Sequence, residues 1–515
     1  MAGPRQTDAT PKAAGNSPFA AAGDSDAQPA SSSADDALER LKPPVRDGVA
    51  HAVMLGAGEN YFGAYGIFLR ASNLEIGLLA ALPPFLGALF QFFGVRLMER
   101  HGIRRPLMVF GAIVQAFTLV PIALLGFWPD RFGYPGVVLI VLVVAYWAAS
   151  GLVSPIWSSV IGDLVPMEIR GRYFGARNKL IGLATMIALI GAGLVLEIAV
   201  DDFYAVRGFC AIFLIAAGAR LVSAYWLRRY EDPPYVTRPD AFFTFRDFVR
   251  RSPKSNFARF VFFQASMNCA VFVSAPYFTV YMLRDLQLSY MQFTILTISM
   301  LASQLLSMTR WGDFADRFGN KKILSICSIG IISTPILWLI TPAFWMLVVA
   351  QVWAGFFWAG YNLSTANFMF DTVSPPKRGR CAAYQSFVNA AFVLVGVLIG
   401  AVFTLPGIVE YLQRWSPTWL VPGSEIPFII VLSLVLRVAV FLFWIPRFRE
   451  VREVEPIGHR ELIFRIAHVR PSAGATYGIL FGASGGTSPG GTSPGGKGQN
   501  GDRSDGSPAD FEGHD

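Results

Sequence analysis

The sequence predicts an all-α polytopic membrane protein, twelve transmembrane helices arranged as two six-helix pseudo-repeats. Three observations carry that reading. The 515 residues are 53% hydrophobic and only 15% charged, outside the usual balance of a soluble protein. Roughly twelve apolar stretches of about 20 residues can be marked, each long enough to cross a hydrocarbon core. A charged turn, finally, occurs twice: Glu99-Arg100-His101-Gly102-Ile103-Arg104-Arg105 returns 217 positions later as Asp316-Arg317-Phe318-Gly319-Asn320-Lys321-Lys322. Helices follow because lipid leaves free backbone groups unsatisfied.

Residues 1–47 are rich in Ala, Ser, Pro and Asp, bury little apolar surface, and are expected to be a disordered cytoplasmic tail. They hold no basic stretch followed by an apolar one, so no cleaved secretory signal is expected and the first helix directs its own insertion. The first bundle occupies 48–227, with spans at 49–69, 74–98, 105–127, 135–163, 173–198 and 205–227. A polar connector, 228–256, follows. The second bundle, 257–446, has spans at 257–283, 287–309, 321–343, 344–371, 381–404 and 425–446. Residues 447–515 form a second tail, mostly disordered, in which Arg460 to Val469 could lie as an amphipathic helix on an anionic leaflet.

Basic residues gather in alternate turns. One set holds Arg96, Arg100, Arg104, Arg105, Arg170, Arg172, Arg317, Lys321, Lys322, Lys377, Arg378 and Arg380, while the opposite turns offer Arg70, Arg131, Arg207, Arg284 and Arg414. The positive-inside rule then places both termini and the connector in the cytoplasm of a cell in whose inner or plasma membrane the chain sits. The net charge of +8 is accounted for by these turns, so no nucleic-acid partner is expected. Cys210, Cys269, Cys327 and Cys381 have no paired spacing, and all four read as packing residues.

The repeat runs beyond the turn. Asp163 to Arg172 aligns with Asp371 to Arg380 at a separation of 208, and Arg220 aligns with Arg437 back at 217. The spacing Gly312-x-x-x-Asp316-Arg317-x-Gly319-x-Lys321-Lys322, with its looser first copy, resembles the loop signature of the major facilitator superfamily of secondary transporters. The resemblance spans about residues 48–450, two parallel repeats of the kind that superfamily uses. It implies alternating access for a small-molecule substrate, and an inner gate formed by Glu99, Arg100, Asp316 and Arg317. Asp163 with Arg170 and Arg172, and Asp371 with Arg378 and Arg380, are the natural charge partners of that gate. Arg104, Arg105, Lys321 and Lys322 read as topology signals. The first copy carries Val95 and Met98 where the pattern has small residues.

Arg220 and Arg437 lie about two turns from a cytoplasmic helix end and are expected to snorkel as structural anchors. Glu59 is different, because no other acid is as central in any span. A carboxyl removed from water must be neutral or paired, so Glu59 is the candidate for proton or cation binding, the alternative being a protonated hydrogen-bonding role in helix packing. In the superfamily's arrangement the first, fourth, seventh and tenth helices surround a cavity. That brings Asn60, Trp157, Gln264, Asn268, Trp358, Tyr361 and Asn362 to the candidate substrate or proton site, with Trp147, Ser154, Gln385 and Asn389 beside it. Amide and indole groups suit neutral polar or aromatic ligands.

No Lys, Arg or His is central in these spans, which disfavours strongly anionic substrates. The fifth span lacks the Gly-Pro pair that the superfamily's proton-driven drug exporters usually carry, which weakens export as a reading. No catalytic constellation, metal-ligand spacing or phosphate loop is present, so neither an enzyme, a metal nor a cofactor is expected. The expectation is a monomeric, proton-coupled symporter or antiporter for a small neutral or cationic organic solute. A non-transporting sensor or scaffold with the same fold is the alternative.

Overall fold

The computed structural model describes residues 30–165, 170–198, 202–232, 250, 255–373, 378–414 and 424–451. All of them belong to a unit spanning Met1–Pro456; a second unit is Ile457–Asp515. Residues 1–29, most of the connector and the Arg460 to Val469 segment lie outside the described residues.

Helices account for nearly all of the described chain. They are α1 Ala30–Ala57, α2 Phe62–Phe68, α3 Asn73–His101, α4 Arg105–Leu125, α5 Pro135–Leu164, α6 Arg170–Glu197 and α7 Asp202–Arg228. The second half has α8 Asn256–Phe272, α9 Ala275–Val280, α10 Tyr290–Phe318, α11 Asn320–Ile340, α12 Phe344–Thr372, α13 Arg378–Val402, α14 Pro406–Gln413 and α15 Ile426–Trp444. Eleven segments among the described residues are long and apolar enough to cross a membrane. The twelfth span is α1 with α2, interrupted between them.

One expectation changes at the start. Helix α1 begins at Ala30, inside the stretch read as disordered tail, and Leu41 is buried. Ala, Leu, Glu and Arg between Ala34 and Leu41 are good helix formers, and they keep the helical path on the far side of Pro43 and Pro44, which lack the N–H groups to bond the Glu39 and Arg40 carbonyls.

The duplication is visible in backbone geometry at both ends of the bundle. Gly102 and Gly319, 217 positions apart, both have positive φ (65° and 87°) and end α3 and α10, so the invariant feature of the charged turn is the reversal that glycine permits. At the opposite end Arg70 and Gln287, again 217 apart, are the non-glycine residues with positive φ among those described. Each is followed by a capping box. Ser72 accepts from the Glu75 amide at 3.3 Å while the Ser72 amide donates to Glu75 Oε2 at 2.7 Å. Ser289 and Gln292 repeat this at 3.2 and 3.0 Å.

The first helix of each half, expected to be continuous over 49–69 and 257–283, is broken at equivalent positions. Helix α1 stops at Ala57, a 3₁₀ turn covers Glu59–Tyr61, and α2 resumes at Phe62. Helix α8 stops at Phe272 and α9 resumes at Ala275, followed by a π turn at Tyr281–Asp285. Gly58 weakens the first helix at the break, and the Asn60 side-chain amide, 2.8 Å from the Leu55 carbonyl, takes the place of a backbone donor. Pro276 has no N–H to continue the second.

Within the first half α3 packs along α5 and α4 along α7; across the halves α3 meets α13 and α6 meets α10. The α3–α5 contact depends on absent side chains, since a Cβ on Gly151 would lie 2.1 Å from the Gly87 carbonyl oxygen. Phe85 and Phe92 of α3 pack on Phe387 of α13, ring centres 5.9 Å apart in both cases.

Candidate functional site: a cavity at two broken helices

A cavity of about 300 Å³ lies between the halves, at the level of the two interruptions. The first break contributes Glu59, Asn60, Phe62 and Gly63; the second contributes Phe272, Ala275, Pro276 and Thr279. Ile76, Leu79, Ala80 and Pro84 of α3, with Val143 and Trp147 of α5, close the sides. Glu59 and its repeat equivalent Pro276 therefore line the same space.

Glu59 is half-buried, and its Oε2 accepts a hydrogen bond from the Tyr146 hydroxyl at 2.9 Å. Tyr146 is fully buried, so its ring fixes the carboxyl. Among the described residues no Lys, Arg or His forms an ion pair with Glu59. A single acid without a countercharge thus faces a wall of mostly apolar side chains. Asn60 is exposed to the same space.

Trp147 is in the lining, whereas the other sequence-derived candidates are placed outside it. Gln264 and Asn268 of α8 engage Gln385 and Asn389 of α13: Gln385 Nε2 donates to Gln264 Oε1 at 2.5 Å, and Asn268 Nδ2 donates to Asn389 Oδ1 at 2.6 Å. The four amides form a ladder inside the second half, with Asn268 Oδ1 and Gln385 Oε1 left over as buried acceptors. Trp358 stands edge-on to Tyr361, ring centres 5.4 Å apart; Tyr361 is buried with no partner for its hydroxyl, and Asn362 is exposed. Trp157 belongs to a cluster near the Arg104 end of the bundle, where its indole donates to the Tyr230 hydroxyl at 3.2 Å and Arg177 lies 4.7 Å over its ring.

That cluster was not anticipated from the sequence. Asp47 of α1 is buried and accepts from Ser223 at 2.6 Å and from Tyr230 at 2.9 Å, while Arg220 donates to Ser223 at 2.6 Å. Arg220 does not snorkel. It is 4% exposed, and Arg437 is 3% exposed and bonded to Ser433, Ser274 and the Ile331 carbonyl at 3.1, 3.3 and 2.8 Å. Arg437 is solvated in place by two serines and a carbonyl oxygen, and Arg220 by Ser223 of its own helix, which in turn bonds the buried Asp47, so neither has to reach for the headgroups. The only signal in the sequence was an acid placed just before the first span.

At the charged turns, Arg104 rather than Arg100 is the centre. Arg104 is fully buried and its guanidinium bonds Asp163 at 2.5 Å, Asp232 at 3.0 Å and Ser159 at 3.1 Å, whereas Arg100 is exposed. The expected topology signal is therefore a structural tie among α4, α5 and the end of α7, and Asp163 has a partner other than the Arg170 and Arg172 anticipated for it. In the second half Asp371 accepts from Asn320 at 2.7 Å, and the Lys321 amide donates to Glu450 at 2.7 Å. Asp316 and Arg317 are exposed on α10, and Arg380 is half-buried on α13. The side chains of Glu99, Arg170, Arg172 and Arg378 lie outside the described part of the structure.

The opposite end carries a second unanticipated group. Arg284 reaches Glu425 at 3.2 Å and Asn73 Oδ1 at 2.9 Å, and Asn73 Nδ2 donates to Glu425 Oε1 at 2.7 Å. Asn73 starts α3 in the first half; its partners are in the second. Tyr61 with Thr294 at 2.7 Å, and the Met291 amide with Glu197 at 3.0 Å, add two more links across the halves at the same end. Sparse charges in these turns gave no hint that they would meet. Among the described residues no group of three or more His, Cys, Asp or Glu is arranged to hold a metal.

Residues 49–272 and 260–489 each match the model of the Major Facilitator Superfamily, the two halves in succession. The chain belongs to this superfamily. Solved structures agree on the fold. A D-xylose-proton symporter is 16% identical with a TM-score of 0.57, covering 82% of this chain and 99% of its own. The nucleoside transporter NupG is 13% identical with a TM-score of 0.55, covering 80% and 99%. An auto-inhibited POT family peptide transporter is 12% identical with a TM-score of 0.60, covering 82% and 99%. No curated protein sequence gives a significant match. As a member of the superfamily the chain is a multi-pass membrane protein of the transporter class, and the interrupted first helices lie where its two repeats meet.

Proposed function

We propose that this superfamily member moves a small neutral or cationic organic solute across the inner or plasma membrane by alternating access, with Glu59 as the proton- or cation-binding acid. The observation that carries the reading is Glu59 itself: a hydrogen-bonded carboxyl without a basic partner among the described residues, at a helix break and facing a cavity between the halves. A proton or a positively charged solute supplies the missing charge, and the occupancy of that site then differs between the two faces of a cycle. The basic turns around Arg104 face the cytoplasm in this reading. The Arg284, Asn73 and Glu425 links then seal the outer side. The protein works as a monomer, with lipid and solute as its partners.

Reconstitution in proteoliposomes tests this, after a thermal-shift panel has supplied a labelled substrate. Glu59→Gln keeps shape and hydrogen bonding but removes titration. If Glu59 couples protons, the variant loses gradient-driven accumulation and keeps counterflow exchange; if Glu59 holds a cationic solute directly, exchange is lost as well. Accumulation equal to the parent from roughly pH 5.5 to 8, a window spanning buried carboxyl titration, would refute the assignment.

A further inference from the structure

We infer that the cavity at the two helix breaks is a binding site for a compact organic monocation, an amine or ammonium group on an apolar body, rather than for a polyol or an anion. The inference rests on the transport reading above and narrows its substrate class.

Counting the polar groups that face the space decides between ligand classes. Glu59, Asn60, Thr279 and the indole N–H of Trp147 are the polar side-chain groups in the lining, and Asn60 already commits one amide proton to the Leu55 carbonyl. A sugar or nucleoside carries four or more hydroxyl or ring polar groups, and each one buried without a partner costs about 1–3 kcal/mol. Four side chains in an otherwise apolar wall leave part of such a ligand unpartnered. An anion meets Glu59 and finds no Lys, Arg or His in the lining. A neutral apolar molecule fits the wall but brings no charge to Glu59, which then has to take up a proton instead.

A monocation answers each condition. Its charge sits against Glu59, whose Oε2 is held in place by Tyr146 at 2.9 Å and whose other oxygen makes no hydrogen bond to a described residue. Its apolar body lies against Phe62, Trp147 and Phe272, aromatic faces that also attract positive charge, with Ile76 and Leu79 filling the side. At about 300 Å³ the cavity is at the small end of ligand pockets, which suits a compact ligand.

Three probes of equal size and different charge separate these classes: 2-phenylethylamine, 2-phenylethanol and phenylacetate. Binding to the purified full-length chain is read by quenching of tryptophan fluorescence and by thermal shift, alongside a panel of primary amines and quaternary ammonium ions. The expected result is saturable binding of 2-phenylethylamine, with the alcohol and the acid at least about tenfold weaker, the loss of one charge-assisted hydrogen bond. Glu59→Gln should remove that preference while keeping the parent's melting temperature in the absence of ligand, and Glu59→Asp should retain it in part. Equal binding of the alcohol and the amine, unchanged amine affinity in Glu59→Gln, or no binding by any cation of the panel would overturn the inference. Failure of this inference and failure of the transport reading are distinguishable. Amine binding without uptake into proteoliposomes upholds the cation site and refutes transport; uptake of a neutral solute by a chain that binds no cation does the reverse.

Discussion

Asn73→Ala is the most direct test of how the halves are held together. Asn73 is the first residue of α3 and its amide makes two contacts to the second half, accepting from Arg284 at 2.9 Å and donating to Glu425 at 2.7 Å. Hydrogen bonds to charged groups contribute about 1.5–3 kcal/mol when well shielded. The Arg284 side chain is 42% exposed while Glu425 is 7% exposed, so the Arg284 bond belongs below that range and the Glu425 bond within it. Together they favour closure of this end by about 2 kcal/mol, and losing both shifts a two-state equilibrium towards conformers open there by roughly thirtyfold. Arg284 and Glu425 keep each other, so the fold is unaffected. Spin labels on Tyr134 and Leu405, exposed residues in turns of the first and second half at this end, report the separation in a cysteine-free background. The long-distance population should grow in Asn73→Ala and also in Asn73→Asp, which keeps an acceptor for Arg284 but sets a second carboxylate beside Glu425. Unchanged distance distributions in both variants would mean that packing alone holds this end closed.

Other expectations concern the charged turns. Removing Asp163 and Asp232 together should destabilise the chain more than Arg104→Met does, because the double substitution leaves a fully buried guanidinium with less countercharge, at about 3 kcal/mol or more, whereas the acids left behind by Arg104→Met are 49% and 22% exposed and can be hydrated. Melting temperatures of the two variants in detergent decide the order, and the reverse order would refute the role of Arg104 as a buried tie. Asp316→Asn should increase labelling of single cysteines on the Arg104 end; identical labelling with normal transport would reduce that motif to a topology signal.

The repeat was legible because its reporters are local: a glycine that must adopt positive φ at 102 and 319, and charges that cannot enter lipid. The capping boxes at Ser72 and Ser289 carry the same 217-residue spacing but were not read from the sequence. The breaks in α1 and α8 were not legible, since an apolar window of helical length looks the same whether the helix is whole or interrupted; Gly58 and Pro276 were the available clues. Gln264, Asn268, Gln385 and Asn389 show a different limit. Their i, i+4 spacing puts each pair on one helix face, but amides satisfy one another as readily as they satisfy a ligand, and which neighbour a face meets is decided by packing. Arg104 is the same problem for charge. Nothing in a basic turn states how deep its residues will sit, and depth separates a topology signal from a buried tie.

A helix cut near its middle behaves as a jointed rod. Bending an intact helix in hydrocarbon exposes backbone amides and carbonyls at several kcal/mol apiece. In α1 that penalty has already been met at the joint, where the Asn60 side chain holds the Leu55 carbonyl. Changing the angle between α1 and α2 therefore strains that side-chain hydrogen bond and the short 3₁₀ turn, where the Tyr61 amide donates to the Gly58 carbonyl at 2.9 Å, and leaves the helices on either side untouched. Glu59 sits on the joint itself. Whatever neutralises its carboxyl acts at the one place along the helix where a small force turns into a change of direction.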